Sequence, residues 1–205
     1  MQLLVDALLN GDQGRSVAEA GRLRREGVAL ERIVAEGIGA AMGQLDSKCT
    51  IDQFNLLEIM LVGRAVNSVI KELFPQGTSA EPNRGTIVLA SLEGDVHDLG
   101  KNITKMVLAG KGYRVIDCGK DCPLERLIDT AEQQQAEAIG ISGLITTVIS
   151  QIKKIKMVLE QRGLGHIKVF AGGAALKQAT AEMLRVDFVA ETAFDGGRFL
   201  GSAVK

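Results

Sequence analysis

The run Thr86-Ile87-Val88-Leu89-Ala90-Ser91 and the loop after it, Glu93-Gly94-Asp95-Val96-His97-Asp98-Leu99-Gly100-Lys101-Asn102, decide how the chain is read. The first is short, apolar and rich in β-branched residues, the composition of a buried strand. From Asn102 to Leu108 apolar residues recur at helical spacing. A strand, a polar Gly-flanked loop and a helix start, in that order, form the ligand-binding corner of an open α/β sheet. The loop does not read as a phosphate cradle. A P-loop has a shorter gap between its Gly and its Gly-Lys, followed by Ser or Thr to hold magnesium. Here five residues separate Gly94 from Gly100-Lys101, and the next residue is Asn102.

What remains is Asp95-x-His97-x-x-Gly100. In an extended loop, residues i and i+2 point the same way, which sets the Asp95 carboxylate against one imidazole nitrogen and leaves the other facing outward. A carboxylate behind a histidine fixes the tautomer of a metal-ligating imidazole and raises its basicity. Gly100 lets the backbone, or a group bound to it, come close.

Beyond this corner the pattern is β-α repeated. Strands are expected at Thr86–Ser91, Arg114–Cys118, Ala138–Ser142, Lys168–Ala171 and Phe188–Ala190. Helices are expected near Leu99–Gly110, Leu124–Gln134, Val148–Arg162, Ala175–Leu184 and Gly196–Ala203. Five alternating units predict a five-stranded parallel sheet covered on both faces, Rossmann-like in the flavodoxin order 2-1-3-4-5. Ser142-Gly143-Leu144 then closes the third strand and Gly172-Gly173 the fourth, on the same carboxyl edge as Asp95 and His97. The paired glycines leave room there, and Ser142 offers a hydroxyl.

Residues 1–76 read instead as four amphipathic helices, an all-α bundle preceding the sheet domain. Their apolar stripes run from Leu3 to Leu8, Val17 to Leu23, Leu30 to Leu45, and Phe54 to Leu73, with Pro75 as a stop. Gly37, Gly39 and Gly43 are expected to permit close helix contacts, and Arg22, Arg24 and Arg25 to form a solvated face. The Pro-, Gly- and Ser-rich stretch over 77–85 is the expected linker, with the Rossmann-like domain over 86–205.

Asp-x-His-x-x-Gly after the first strand of such a domain resembles the cobalamin-binding motif of corrinoid proteins and of cobalamin-dependent methionine synthase and mutases. Ser142-Gly143-Leu144 and Gly172-Gly173 match two further signatures in the same order. The resemblance implies that His97 replaces the nucleotide base as the lower axial ligand of cobalt. It places Asp95, Val96, Asp98 and Gly100 at the cofactor, and threads the displaced nucleotide tail past Ser142, Leu144, Thr146, Gly172 and Gly173. In methionine synthase the His–Asp relay has a third member, a serine six residues after that of Ser-x-Leu. Here that position is Val148, which departs from a relay of that form, and neighbouring Thr146 or Thr147 could substitute. The family also assigns the helical bundle to the upper corrin face, with Met60 and its neighbours as candidate contacts.

The function this implies is a corrinoid methyl carrier. Its cofactor is cobalamin, as methylcobalamin and cob(I)alamin, bound base-off/His-on. Its expected partners are a substrate-specific methyltransferase, a second, acceptor-side methyltransferase and a corrinoid-reactivating protein. No catalytic residue is assigned, because a carrier component is not a self-sufficient catalyst. A complete synthase or mutase needs a substrate barrel, for which this chain has no room. A mutase subunit acting with a separate barrel and a cobalamin-sensing regulatory module are the alternatives. The methyl donor is left open among methanol, methylamines, betaines and aryl methyl ethers.

Composition narrows the remaining classes. With 205 residues, 46% hydrophobic and net charge −1, the chain has no basic surplus to suggest nucleic acid or an anionic membrane as partner. It contains neither a signal-peptide pattern nor an apolar run of membrane-spanning length, and a cytoplasmic protein is expected. Cys49, Cys118 and Cys122 form no secretory disulfide framework. The CxxxC spacing of the last two is neither a redox CxxC nor a zinc half-site, and ordinary reduced thiols are expected.

Overall fold

A computed structural model describes residues 1–48, 56–74 and 84–203. The chain divides into two compact units, Met1–Gly77 and Thr78–Lys205. Of the linker expected over 77–85, only Arg84 and Gly85 lie within the described residues, and Phe54, Pro75 and Cys49 lie outside them.

The first unit is helical: α1 (Gln2–Leu9), α2 (Gln13–Arg25), α3 (Leu30–Arg32), a π-helical stretch (Ile33–Gly39), α4 (Ala40–Lys48) and α5 (Leu56–Leu73). Gly11, at φ +65°, turns the chain out of α1, and a Cβ there would sit 2.6 Å from Leu61 Cβ. Asp12 then caps α2 by accepting from Arg15 N–H at 2.9 Å. The apolar stripes meet in a core of Leu4, Leu8, Leu23, Ile33, Ile38, Val66 and Ile70. The third expected helix is therefore α3, the π stretch and α4 in continuous succession. Of its three glycines only Gly37 is in tight contact, where a Cβ would stand 2.7 Å from Leu4 Cδ2. The arginine cluster does more than face solvent. Arg24 donates to Leu73 O at 2.6 Å, satisfying an end carbonyl of α5, and Arg22 pairs with Glu19 and Glu26. Leu57 and Met60 on α5 are exposed.

The second unit is a five-stranded parallel sheet in the order β2-β1-β3-β4-β5, with β1 (Thr86–Ala90), β2 (Arg114–Asp117), β3 (Ala138–Ser142), β4 (Lys168–Gly172) and β5 (Phe188–Ala190). This is the expected topology. Ile87, Leu89 and Phe170 point to one face with Leu108 of α6 (Leu99–Gly110) and Leu200 of α10 (Ala193–Ala203). Val88, Ile139 and Val169 point to the other, with α7 (Leu124–Gln133) and α8 (Ile149–Gln161). Such residues, buried on both faces of parallel strands, are why the strands read as continuous apolar runs. Gly140 interrupts β3 because a Cβ there would fall 2.3 Å from Phe170 Cζ.

Two elements differ from the sequence reading by more than one residue at an end. The helix expected over Ala175–Leu184 is two pieces, a 3-10 turn (Ala174–Leu176) and the short α9 (Ala181–Leu184). Thr180 starts α9 afresh, its hydroxyl accepting from Met183 N–H at 3.2 Å. Helix α10 begins three residues earlier than Gly196, at Ala193. Thr192 and Asp195 explain this: the Thr192 hydroxyl accepts from Phe194 N–H, and the Asp195 carboxylate reaches back to Thr192 N–H at 2.6 Å. That is a capping box written in the sequence. Among the described residues no helix is long and apolar enough to cross a membrane.

Candidate functional site

The loop after β1 is held by its neighbours. Ser91 is buried; its N–H donates to Gly119 O at 3.0 Å and its hydroxyl donates to His97 O at 2.7 Å. Glu93 N–H donates to Cys122 O at 2.9 Å, and Gly94, at φ +89°, donates its N–H to Asp121 Oδ1 at 2.7 Å. Gln151 of α8 donates to Glu93 O at 2.8 Å. The β2–α7 turn on one side and α8 on the other thus fix the curl that turns Asp95 inward.

Asp95 is completely buried, and both its oxygens are used. Oδ1 accepts from His97 N–H at 3.0 Å and pairs with His97 Nδ1 at 2.8 Å; Oδ2 accepts from Leu144 N–H at 2.7 Å. Burial pushes the carboxyl up, but the hydrogen bonds from Leu144 N–H, His97 N–H and the imidazole outweigh it and hold Asp95 below the usual carboxylate range. An ionised Asp95 assigns the proton of the pair to Nδ1, which leaves the Nε2 lone pair free. The His97 side chain is 52% exposed.

The other predicted residues fall around this dyad. Asp95 itself ties the β1 loop to Leu144. A Cβ on Gly100 would stand 3.1 Å from Ser142 Oγ, which places the start of α6 against the end of β3. Val96 and Leu144 are 58% and 45% exposed, unusual for apolar residues on neighbouring loops. Asp98 is half-buried, and its carbonyl accepts from Asn102 N–H at 2.8 Å. Thr146 and Thr147 are exposed in the 3-10 turn Thr146–Val148, and Val148 is buried. The position of the relay serine therefore points into the core. Gly172 and Gly173 lock the β3 and β4 loops together, with Gly143 N–H donating to Gly172 O at 2.9 Å. At Gly173, φ +120°, a Cβ would lie 2.3 Å from Gly143 O, and at Gly172 one would lie 2.9 Å from Ala190 O. The missing side chains at both positions are accounted for by protein backbone. His166 lies before β4, at the opposite edge.

One part of the site escaped the sequence reading. Lys101, 3% exposed, donates to Asp117 Oδ1 at 2.7 Å and to Asn102 Oδ1 at 3.0 Å. Asp117 also accepts from Gly119 N–H at 2.9 Å, and Gly119 O takes the Ser91 N–H. Burial raises the Asp117 carboxyl, and the Lys101 hydrogen bond with the Gly119 N–H more than reverses it. This ion pair anchors the turn on which the His97 loop rests. Helical spacing gives no hint of it, since Lys101 sits on the inner face of α6.

The donor set limits what metal the site can take. Among the described residues no group of three or more His, Cys, Asp and Glu is placed to hold a metal ion. A bare ion is not served by one imidazole. A metal carried inside an organic ring needs only one axial ligand from protein, and the exposed apolar flanks at Val96 and Leu144 suit such a ring. The residues fit a corrin.

The comparisons agree. The B12 binding domain family matches residues 85–196. The dimethylamine corrinoid protein of Methanosarcina barkeri is 32% identical over 94% of this chain and 92% of that protein. The monomethylamine corrinoid protein of Methanosarcina barkeri has a similar fold, with TM-score 0.82, 24% identity, and coverage of 95% of this chain and 93% of that one. A methanol:cobalamin methyltransferase complex from Methanosarcina barkeri also shares the fold, at TM-score 0.57 and 23% identity over 98% of this chain and 78% of that one. The chain belongs to the corrinoid proteins with a B12 binding domain, and its cofactor is cobalamin.

Proposed function

We propose that this protein is a methyl carrier that holds cobalamin base-off, with His97 Nε2 as the lower axial ligand of cobalt. The observation that supports this reading is the Asp95–His97 dyad, in which a buried carboxylate fixes Nδ1–H and frees Nε2 at an exposed ring. Bound cobalamin supplies a cobalt that accepts a methyl group and gives it up to another acceptor. The chain's own residues bind and orient. His97 is held at its carbonyl by Ser91, Asp95 keeps one tautomer, and Val96 and Leu144 offer apolar contact. Leu144 N–H takes Asp95 Oδ2 at 2.7 Å, the side of the carboxylate away from His97. In this reading Ser142, Gly172 and Gly173, with Thr146, line the path of the nucleotide tail.

The methyl donor is a methylated amine, the class in the names of the relatives found at higher identity. A substrate-specific methyltransferase loads the carrier and a second, acceptor-side methyltransferase unloads it, and a reactivating protein restores it after oxidation. The test is the absorption spectrum of the protein after incubation with hydroxocobalamin and desalting, beside His97→Gly. The expected result is one retained cobalamin per chain, with histidine ligation lost in the variant. A colourless wild-type protein under both aerobic and reducing conditions overturns the proposal.

A further inference from the structure

Among the described residues, Asp121, Gln135 and Arg185 have left-handed backbone although they are not glycines. Gln135 and Arg185 close the ends of α7 and α9, where the next N–H reaches back to Ala131 O and Ala181 O, and this conformation is common at such ends. Asp121, at φ +52°, ends no helix; it lies exposed in the turn between β2 and α7. Strained backbone persists where its surroundings hold it. Here the holding bonds run to the loop after β1. Asp121 Oδ1 accepts from Gly94 N–H at 2.7 Å, Asp121 N–H donates to Asp95 O at 3.0 Å, and the adjoining Cys122 N–H donates to Ser91 O at 2.9 Å. One residue thus grips the Gly94–Asp95 dipeptide at both ends, at the N–H that begins it and the carbonyl that closes it. The Asp95 N–H between them donates to Leu92 O at 2.9 Å. With those three groups taken, the Asp95 Cα–Cβ bond has a set direction, and its carboxylate arrives at His97 Nδ1 and Leu144 N–H.

We propose that Asp121 is a positioning residue for the Asp95–His97 dyad: its two-ended grip on Gly94–Asp95 aims the Asp95 carboxylate at His97 Nδ1 and so fixes the imidazole tautomer. Asp121 touches neither the imidazole nor anything the imidazole would bind. It acts through the backbone of Asp95, and its strained conformation is offset by the two hydrogen bonds it makes to the loop. Loss of the carboxylate at 121 frees the Gly94 N–H, lets the dipeptide turn, and moves Asp95 Oδ1 off the line to Nδ1. The proton is then no longer held there, and Nε2 carries it for part of the time. That the free Nε2 serves cobalt rests on the cobalamin reading; the control of the tautomer does not.

The test reads the imidazole ¹⁵N shifts of the full chain, without cofactor, in mildly alkaline buffer where imidazole is neutral. His166, the other histidine of the chain, serves as internal reference. Asp121→Gly accepts the left-handed backbone and lacks the acceptor, whereas Asp121→Asn tolerates the backbone and keeps an acceptor oxygen. The expected result is a proton on His97 Nδ1 in the wild type. The ratio of Nδ1–H to Nε2–H should fall about tenfold in Asp121→Gly, the factor carried by one hydrogen bond to a charged group, and return in Asp121→Asn. A wild-type ratio in folded Asp121→Gly overturns the proposal, as does an Asp121→Asn that behaves like Asp121→Gly. Should Asp121→Gly not fold, hydrogen exchange of the wild type decides: Gly94 and Asp121 amides are expected to be protected, and open exchange at both overturns the grip. Hydroxocobalamin spectra are taken alongside, with histidine ligation expected to fall severalfold in Asp121→Gly alone. Unchanged ligation beside a shifted tautomer overturns the extension to cobalt. A wild type that retains no cobalamin counts against the cobalamin reading and leaves the tautomer result standing.

Discussion

Asp95, just after β1, and Asp117, at the end of β2, are two carboxylates on one edge of the sheet, kept ionised by different means. Asp117 meets formal charge on both oxygens, the buried ammonium of Lys101 with Gly119 N–H at Oδ1 and the partly exposed ammonium of Lys105 at Oδ2, 3.4 Å away. Asp95 meets backbone N–H groups from two loops and an imidazole that is half exposed. The first arrangement closes on itself, each carboxylate oxygen meeting an ammonium. The second leaves one atom over, His97 Nε2, and presents it outward. A closed pair anchors a turn, whereas a pair with a spare lone pair offers a ligand.

The largest effect is expected from opening the closed pair. Asp117→Asn leaves the Lys101 ammonium buried without its counter-charge, and removing one partner of such a pair costs about 3–5 kcal/mol. The partial exposure of Asp117 places the expected loss near the lower end, about 3 kcal/mol. The double variant Lys101→Met with Asp117→Leu removes both charges and is expected to recover most of that loss. Urea unfolding of the three proteins measures this. If the double variant is as unstable as the single one, Lys101–Asp117 acts through packing and not as a pair.

The smaller effect, at Asp95, separates stability from ligation. Asp95→Asn keeps the shape and one acceptor for Leu144 N–H but sets an amide NH₂ towards either the His97 N–H or its ring. The loss of charge-assisted hydrogen bonds is expected to cost about 1–2 kcal/mol. The larger consequence is chemical. To accept from the new amide, His97 must carry its proton on Nε2, the atom the cofactor needs. The hydroxocobalamin spectrum of this folded variant is therefore expected to resemble that of His97→Gly. A wild-type spectrum from Asp95→Asn means the carboxylate does not set the tautomer.

These two sites also mark how far the sequence could be read. The order of strands and the Asp95–His97 contact were legible because both are local: alternation of apolar runs gives the first, and an i to i+2 loop geometry gives the second. Lys101 and Asp117 lie on different elements, and only the folded sheet brings a lysine on the inner face of α6 to the end of β2. Gly173 read as room for a ligand, and only the fold shows that a Cβ there would also meet Gly143 O. Thr192 and Asp195 are the opposite case, a capping signal present in the sequence and passed over.

The smallest expected effect tests the comparison in wild-type protein through acid. Both carboxyls have folded-state pKa values below their ordinary ones. A group of that kind contributes its full stability above the unfolded carboxylate pKa of about 3.9 and loses it as pH falls through the folded value. Wild-type stability is therefore expected to be flat with respect to these two groups from neutral pH down to about 4, and to fall below that. Asp95→Asn and Asp117→Asn each remove one titration, so each unfolding curve should be less steep in acid than that of the wild type. The two variants differ in what remains. Without Asp117, the Lys101 charge is already unmet at neutral pH, so its protein starts low and loses little more. Without Asp95, the protein starts about 1–2 kcal/mol below wild type and the two curves converge in acid. An Asp95→Asn curve parallel to wild type at every pH means that the dyad's carboxylate is not held ionised by its N–H partners, and the free lone pair on His97 Nε2 loses its physical basis.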